Sequence, residues 1–165
     1  MGVKFGLPPI ARPNARLFLL GSLPGDASLA ANRYYAHPTN QFWRLLGSAI
    51  GEDLHLLGYE ERLARLAERR IGLWDVIASA NRPGSLDQAI SDAEHNQIAH
   101  LLHDFPDLRA IAFNGSTAAA AGRKLIGDPP AHIALIDLPS SSAANTRAFA
   151  EKSAAWSALS QFAGG

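Results

Sequence analysis

The residues of this chain best suited to chemistry lie in a few short polar stretches. These are "GSLPGDAS" from Gly21, "YYAHPTNQFWRLL" from Tyr34, "SANRPGSLD" from Ser79, "NGST" from Asn114 and "LPSSSAANTR" from Leu138. All draw on Gly, Ser, Asn and Pro, and the second adds two tyrosines and a Phe-Trp pair. Loops of this kind expose backbone N–H groups at helix N-termini, a good setting for anionic groups such as phosphates. Asn and Ser side chains add hydrogen-bonding groups that need no titration. Tyr35 precedes a helix in a polar loop, where its flat ring could serve as a stacking surface for a nucleobase. Plainer readings stand beside these: "GSLPGDAS" also suits a strand-to-loop turn, "LPSSSAAN" a capped helix start, and Asn40 an ordinary helix-entrance residue. Phe42 and Trp43 are expected in the core.

Several chemistries are not supported. The first loop has neither the GK[ST] ending nor the GxGxxG spacing of nucleotide-binding loops. No GxSxG elbow points to a serine hydrolase. His95, His100 and His103 fall in a segment of helical period without a cysteine partner or an HExxH arrangement, so no metal site is expected. Asp75 has no second carboxylate at local glycosidase spacing.

The elements that must position these loops are legible as alternating patterns. "RLFLLGS", "IGLWDVIAS", "RAIAFNG" and "HIALIDLPS" are mostly continuous apolar runs, as strands buried on both faces of a parallel sheet require. Helical period follows in "QFWRLLGSAIG" and "EERLARLAERR", in "LDQAISDAEHNQIAHLLHDF", in "STAAAAGRKLIG", and in the last segment, where Phe149, Trp156, Leu159 and Phe162 form a core-facing stripe. The pattern predicts an α/β fold: three layers, α/β/α, around a central, mainly parallel four-stranded sheet with right-handed crossovers. In such a sheet ligands bind beyond the carboxyl ends of the strands, where the polar loops fall.

At 165 residues, with 47% apolar and 18% charged, one globular domain spanning 1–165 is expected. Fifteen basic residues balance fifteen acidic ones, which counts against a non-specific polyanion coat. Arg82, Arg123, Lys124 and Arg147 lie in or shortly beyond the loops and give one modestly positive face. The absence of cysteine favours a reducing, cytoplasmic location, and no signal peptide or membrane span is expected.

With "GSLPG", "YYAHPTNQFWRLL", "NRPGSLD", "FNG" and "LPSSSAAN" in that order, the chain resembles the uracil-DNA glycosylase superfamily, nearest to its hypoxanthine-DNA glycosylase branch. The resemblance runs from about Arg16 to Phe162, and "HPTNQFW" is its most specific piece, since the mismatch-specific glycosylases carry a similar HPxNxFW block. It implies a monofunctional DNA glycosylase that flips a deaminated base, chiefly hypoxanthine, into a pocket and hydrolyses its N-glycosidic bond without metal or cofactor. DNA containing such a base is the expected partner, and a monomer the expected state. Two positions depart from the family pattern: the usual water-activating Asp or Asn of the first loop is Leu23, and the usual His or Asn before Pro-Ser is Leu138. In the hypoxanthine branch the Asn of HPxN takes over, so the resemblance makes Asn40 catalytic, with Asp26 a second water partner. It places Tyr35, Asn114, Ser22, Leu23 and Asn81 at the base. Ser140, Ser141, Ser142, Ala143, Asn145, Arg82 and Arg147 fall to the DNA, with Ala143 and Ala144 a slight wedge. A uracil or G:U/G:T mismatch glycosylase is the alternative within the class. A non-catalytic binder of damaged DNA or nucleotides, with the two leucines as marks of a decayed site, is the alternative outside it.

Overall fold

Every residue of Leu17–Gly21 is buried, as a strand covered on both faces requires. In the computed structural model, which describes residues 2–164, that strand is the second of seven. The order is β1 (Val3–Phe5), β2 (Leu17–Gly21), α1 (Asp26–Ala31), α2 (Phe42–Ile50), α3 (Tyr59–Glu68), β3 (Ile71–Asp75), β4 (Ile77–Asn81) and β5 (Ser91–His95). Then come α4 (Leu101–Asp104), β6 (Ala110–Asn114), α5 (Ser116–Ile126), β7 (Ala134–Leu138) and α6 (Phe149–Trp156). The central sheet has the order β3-β2-β6-β7 and is parallel throughout.

Side-chain alternation divides β2 between two cores. Leu17 and Leu19 meet Leu45 and Leu46 of α2, Leu66 of α3 and Trp156 of α6. Phe18 and Leu20 point the other way, to Leu101 of α4 and Ala118 and Ala119 of α5. The three-layer α/β/α expectation therefore holds. The close seating of α5 on β6 depends on Gly122, because a Cβ there would overlap the Phe113 ring.

Three expectations need correction. "IGLWDVIAS" is not one strand: β3 ends at Asp75, and β4 leaves the central sheet to pair antiparallel with β1 and β5 in a second, three-stranded sheet. No glycine or proline marks that break, which is made by Val76 and Ile77 donating to the carbonyls of Gly21 and Ser22. "LDQAISDAEHNQIAHLLHDF" is not one helix either, because pairing with β4 overrides its period between Ser91 and His95. His95, His100 and His103 thus lie in a strand, a 3-10 turn and a short helix. In the last segment Trp156 and Leu159 are buried as expected, but Phe149 is exposed.

Candidate active site

The segments that follow β2, β4, β6 and β7, with the end of β3, surround a cavity of about 660 Å³. Gly21 sits at its floor, where a Cβ would come within 2.6 Å of Asp75 Oδ1 and 2.9 Å of the Tyr35 hydroxyl. A side chain at this position would therefore separate Tyr35 from Asp75. Tyr35 reaches the floor with a left-handed backbone, φ 53°, a conformation that non-glycine residues adopt at some cost in strain. Phe42 holds it there: the two rings stack with centroids 3.7 Å apart and planes 7° from parallel. One face of Tyr35 is thereby spent on the core. Its hydroxyl is buried without a hydrogen-bond partner, and burial, followed by the charge of Asp75, raises its pKa.

The side chains of Asn40, Ser141 and Asn114, from three separate segments, form one chain of hydrogen bonds with the N–H groups of Phe42 and Ser141. The Phe42 N–H donates to Asn40 Oδ1 at 2.9 Å, and the Ser141 hydroxyl donates to the same oxygen at 2.8 Å. Asn114 Nδ2 donates to Ser141 Oγ, and the Ser141 N–H donates to Asn114 Oδ1, both at 2.9 Å. The two backbone N–H groups can only donate, so they fix the orientation of both amides and of the hydroxyl between them. Asn40 Oδ1 already accepts two hydrogen bonds, and the group Asn40 has left to offer the cavity is its amide NH2. Lys152 clamps this assembly from behind: it is 1% exposed, and Nζ donates to Gln41 Oε1 and to the carbonyls of Ser142 and Asn145. Burial lowers its pKa.

Carboxylates complete the cavity. Asp75 is buried at the end of β3, with Oδ2 unpartnered. Its pKa is pushed up to about 7 by burial and then by Asp87, against the opposing pull of Arg82. Asp87 accepts from the Ser22 hydroxyl at 2.6 Å. Among the described residues, no group of three or more His, Asp or Glu side chains is arranged to hold a metal ion.

Comparison with known proteins identifies the family. Residues 8–160 match the family model described as the uracil DNA glycosylase superfamily. The chain belongs to the uracil DNA glycosylase superfamily. It is 41% identical over 157 residues to a protein of Methanosarcina acetivorans named hypoxanthine DNA glycosylase, covering 95% of this chain and 98% of the relative. A protein of Methanosarcina barkeri with the same name is 48% identical over 112 residues, covering 68% of this chain and 71% of that one. A solution NMR structure of a Methanosarcina acetivorans protein, described as a candidate uracil DNA glycosylase, superposes with a TM-score of 0.84 at 41% identity, over 97% of this chain and 98% of that one.

Against the site expected of a superfamily member, the structure gathers some residues and withdraws others. Asn40, Tyr35, Asn114, Ser22, Ser140, Ser141, Ser142, Ala143 and Asn145 all border the cavity. So does Leu23, although it is buried and packs with Ile77 and Ala80 beneath the second sheet. Asp26 lies at the edge with its carboxylate on Lys4 Nζ at 2.6 Å. Arg82 is not free to meet DNA: its side chain is fully buried, donating to the carbonyls of Leu23, Pro24 and Gly84. It braces the first loop instead. Asn81 is withdrawn from the base as well, donating to Asp92 across β4 and β5. Arg147 is exposed beyond the serine loop. Sequence reasoning missed Asp75, Asp87 and Lys152 as parts of the site. A carboxylate inside the apolar run "IGLWDVIAS" was the available signal for the first, and a lysine one turn before buried Trp156 for the last.

Proposed function

We propose that this chain is a monofunctional DNA glycosylase that hydrolyses the N-glycosidic bond of deaminated bases, hypoxanthine first, in DNA. What carries the proposal is the Asn40–Ser141–Asn114 chain at the rim of a cavity whose size suits one flipped nucleotide. In the transition state the sugar gains positive charge and the departing base negative charge, so the site must offer fixed donors to the base. The Asn40 amide NH2 is such a donor, held at its oxygen by Phe42 N–H and Ser141. The N-terminus of α5 adds a second source of positive potential, since Gly115, Ser116 and Thr117 border the cavity. Buried Asp75 and ion-paired Asp26 are the groups left to stabilise the sugar or align water. The serine loop and exposed Arg147 face the DNA. A monomer acting in the cytoplasm belongs to this proposal. Leu23 and Leu138 are both core members, so their side chains help pack the fold.

The test is base release from matched oligonucleotides carrying hypoxanthine, uracil or xanthine, by the intact protein and by Asn40→Ala. Hypoxanthine release that falls at least tenfold in the variant, about 1.4 kcal/mol of transition-state stabilisation, is expected. Release of uracil alone would keep the enzyme class and change the substrate. Binding of damaged DNA without release of any base would identify a lesion binder and end the proposal.

A further inference from the structure

Next to the large cavity, and sharing Tyr35, His37 and Asn40 with it, lies a second pocket of about 220 Å³. The two differ sharply in charge. Among the described residues the large cavity is bordered by Asp26, Asp75 and Asp87 and by no Lys or Arg. The small pocket is bordered by Arg44, Arg62, His37 and His55 and by no carboxylate. A strand that delivers a nucleotide to the first must place its phosphates where positive charge is available.

The local cations are held by aromatic faces rather than carboxylates, so their charge is not neutralised by a partner. Arg62 lies over the Trp43 ring at 5.2 Å and Arg33 over the Tyr59 ring at 5.3 Å, and the two rings meet edge to face at 6.2 Å. Nearby Glu52 is already engaged by Arg65 and Arg69. Arg44 is exposed and forms no ion pair among the described residues. Trp43 supplies an independent sign of a missing ligand. It is 4% exposed, borders the pocket, and its indole N–H has no partner. A buried donor left unpaired is costly, so a ligand that settles against Trp43 and brings an acceptor to its indole N–H is favoured.

The geometry points to a seat for one backbone phosphodiester of the DNA strand, adjacent to the nucleotide held in the large cavity. Identifying the polyanion as DNA rests on the glycosylase proposal. Arg62 already donates to the carbonyls of Leu54 and His55, so exposed Arg44 is the cation free to grip the phosphate, with the Trp43 ring bordering the seat and its indole N–H reporting on it. His55 and His37 flank them.

The experiment follows the Trp43 indole N–H resonance by NMR while a short single-stranded deoxyinosine oligonucleotide, or inorganic phosphate, is titrated into the intact protein, Asn40→Ala and Arg44→Gln. Oligonucleotide affinity is measured in parallel at several salt concentrations. The resonance is expected to shift with oligonucleotide in the intact protein and in Asn40→Ala. Arg44→Gln should weaken binding several-fold and reduce the slope of log K against log salt by about 0.7, the share of one single-strand phosphate. An unmoved resonance and unchanged slope, with hypoxanthine still released, would overturn this inference and leave the glycosylase standing. A moved resonance and reduced slope without base release would do the reverse. A shift with inorganic phosphate but not with oligonucleotide would mean an adventitious ion only, and the inference falls.

Discussion

Asp75 makes the stability of this protein depend on pH in a direction opposite to that of an ion-paired carboxylate. Its carboxyl is buried with Oδ2 unpartnered, and its pKa is pushed from the ordinary 3.8 up to about 7. The folded state therefore binds a proton that the unfolded state releases, so stability is fullest below about pH 4 and is lost as pH rises through about 7. The whole difference corresponds to about 4 kcal/mol, an upper bound because water entering the cavity softens the penalty. Rather more than half of it falls between pH 5 and pH 8.5. Asp75→Asn removes the titration while keeping the shape. Its amide leaves an unpaired group too, but that cost does not vary with pH. Urea unfolding of both proteins at pH 5, 7 and 8.5 isolates the difference, since every other titrating group is common to the pair. The intact protein should lose stability across this range relative to Asp75→Asn, by an amount on the order of 2–3 kcal/mol at most. Parallel pH profiles would show that Asp75 is solvated or paired in solution rather than buried and unpartnered at the cavity floor.

Three further outcomes are expected. Ser141→Ala removes the hydroxyl that donates to Asn40 and accepts from Asn114. It should cost about 1–2 kcal/mol in urea unfolding and at least tenfold in base release, and an unchanged rate would detach Asn40 from this support. Lys152→Met orphans Gln41 Oε1 and the carbonyls of Ser142 and Asn145. About 1–3 kcal/mol of stability should be lost, with faster amide exchange in the serine loop than in the central sheet; uniform exchange would argue against a local clamp. Gly122→Ala, remote from the cavity, forces a methyl against the Phe113 ring. The overlap of about 1–3 kcal/mol should offset or exceed the gain of about 1 kcal/mol in helix propensity, so a clear rise in melting temperature would contradict the packing described for α5 on β6.

What the sequence revealed and what it hid divide along a physical line. β2 and β6 announced themselves because strands buried on both faces must be continuously apolar, β7 because its apolar run survives at a half-buried sheet edge, and α2, α3 and α5 because a one-sided core imposes its period. The β3–β4 break left no local mark, since it is made by hydrogen bonds to the carbonyls of Gly21 and Ser22 from a distant part of the chain. β5 is a polar strand of the second sheet, in which Asp92 adopts φ 51°. Only its pairing with β4 distinguishes it from a solvated helix. The site shows the same division. Asn40, Tyr35, Asn114 and Ser141 converge because each follows or precedes a legible element. Arg82 and Lys152 were misplaced or overlooked because a charged side chain is buried only where carbonyls from other segments come to meet it.

The distribution of charge gives the loss of the usual polar residue at Leu23 a physical setting. On the proposed function the substrate is a polyanion, yet the cavity carries carboxylates and the cations stand outside it. That arrangement suits a reaction in which the sugar becomes cationic inside while the phosphates are gripped at the rim. It also works against an anionic leaving base, so donors aimed at the base have to outweigh the local field. Asn40 can supply one only while its own oxygen is occupied, and Ser141 and the Phe42 N–H occupy it. A donor at the helix entrance thus makes a different demand on the first loop. With the base served from Asn40 and the sugar facing carboxylates, position 23 is free to be the leucine that packs against Ile77 and Ala80 of the second sheet.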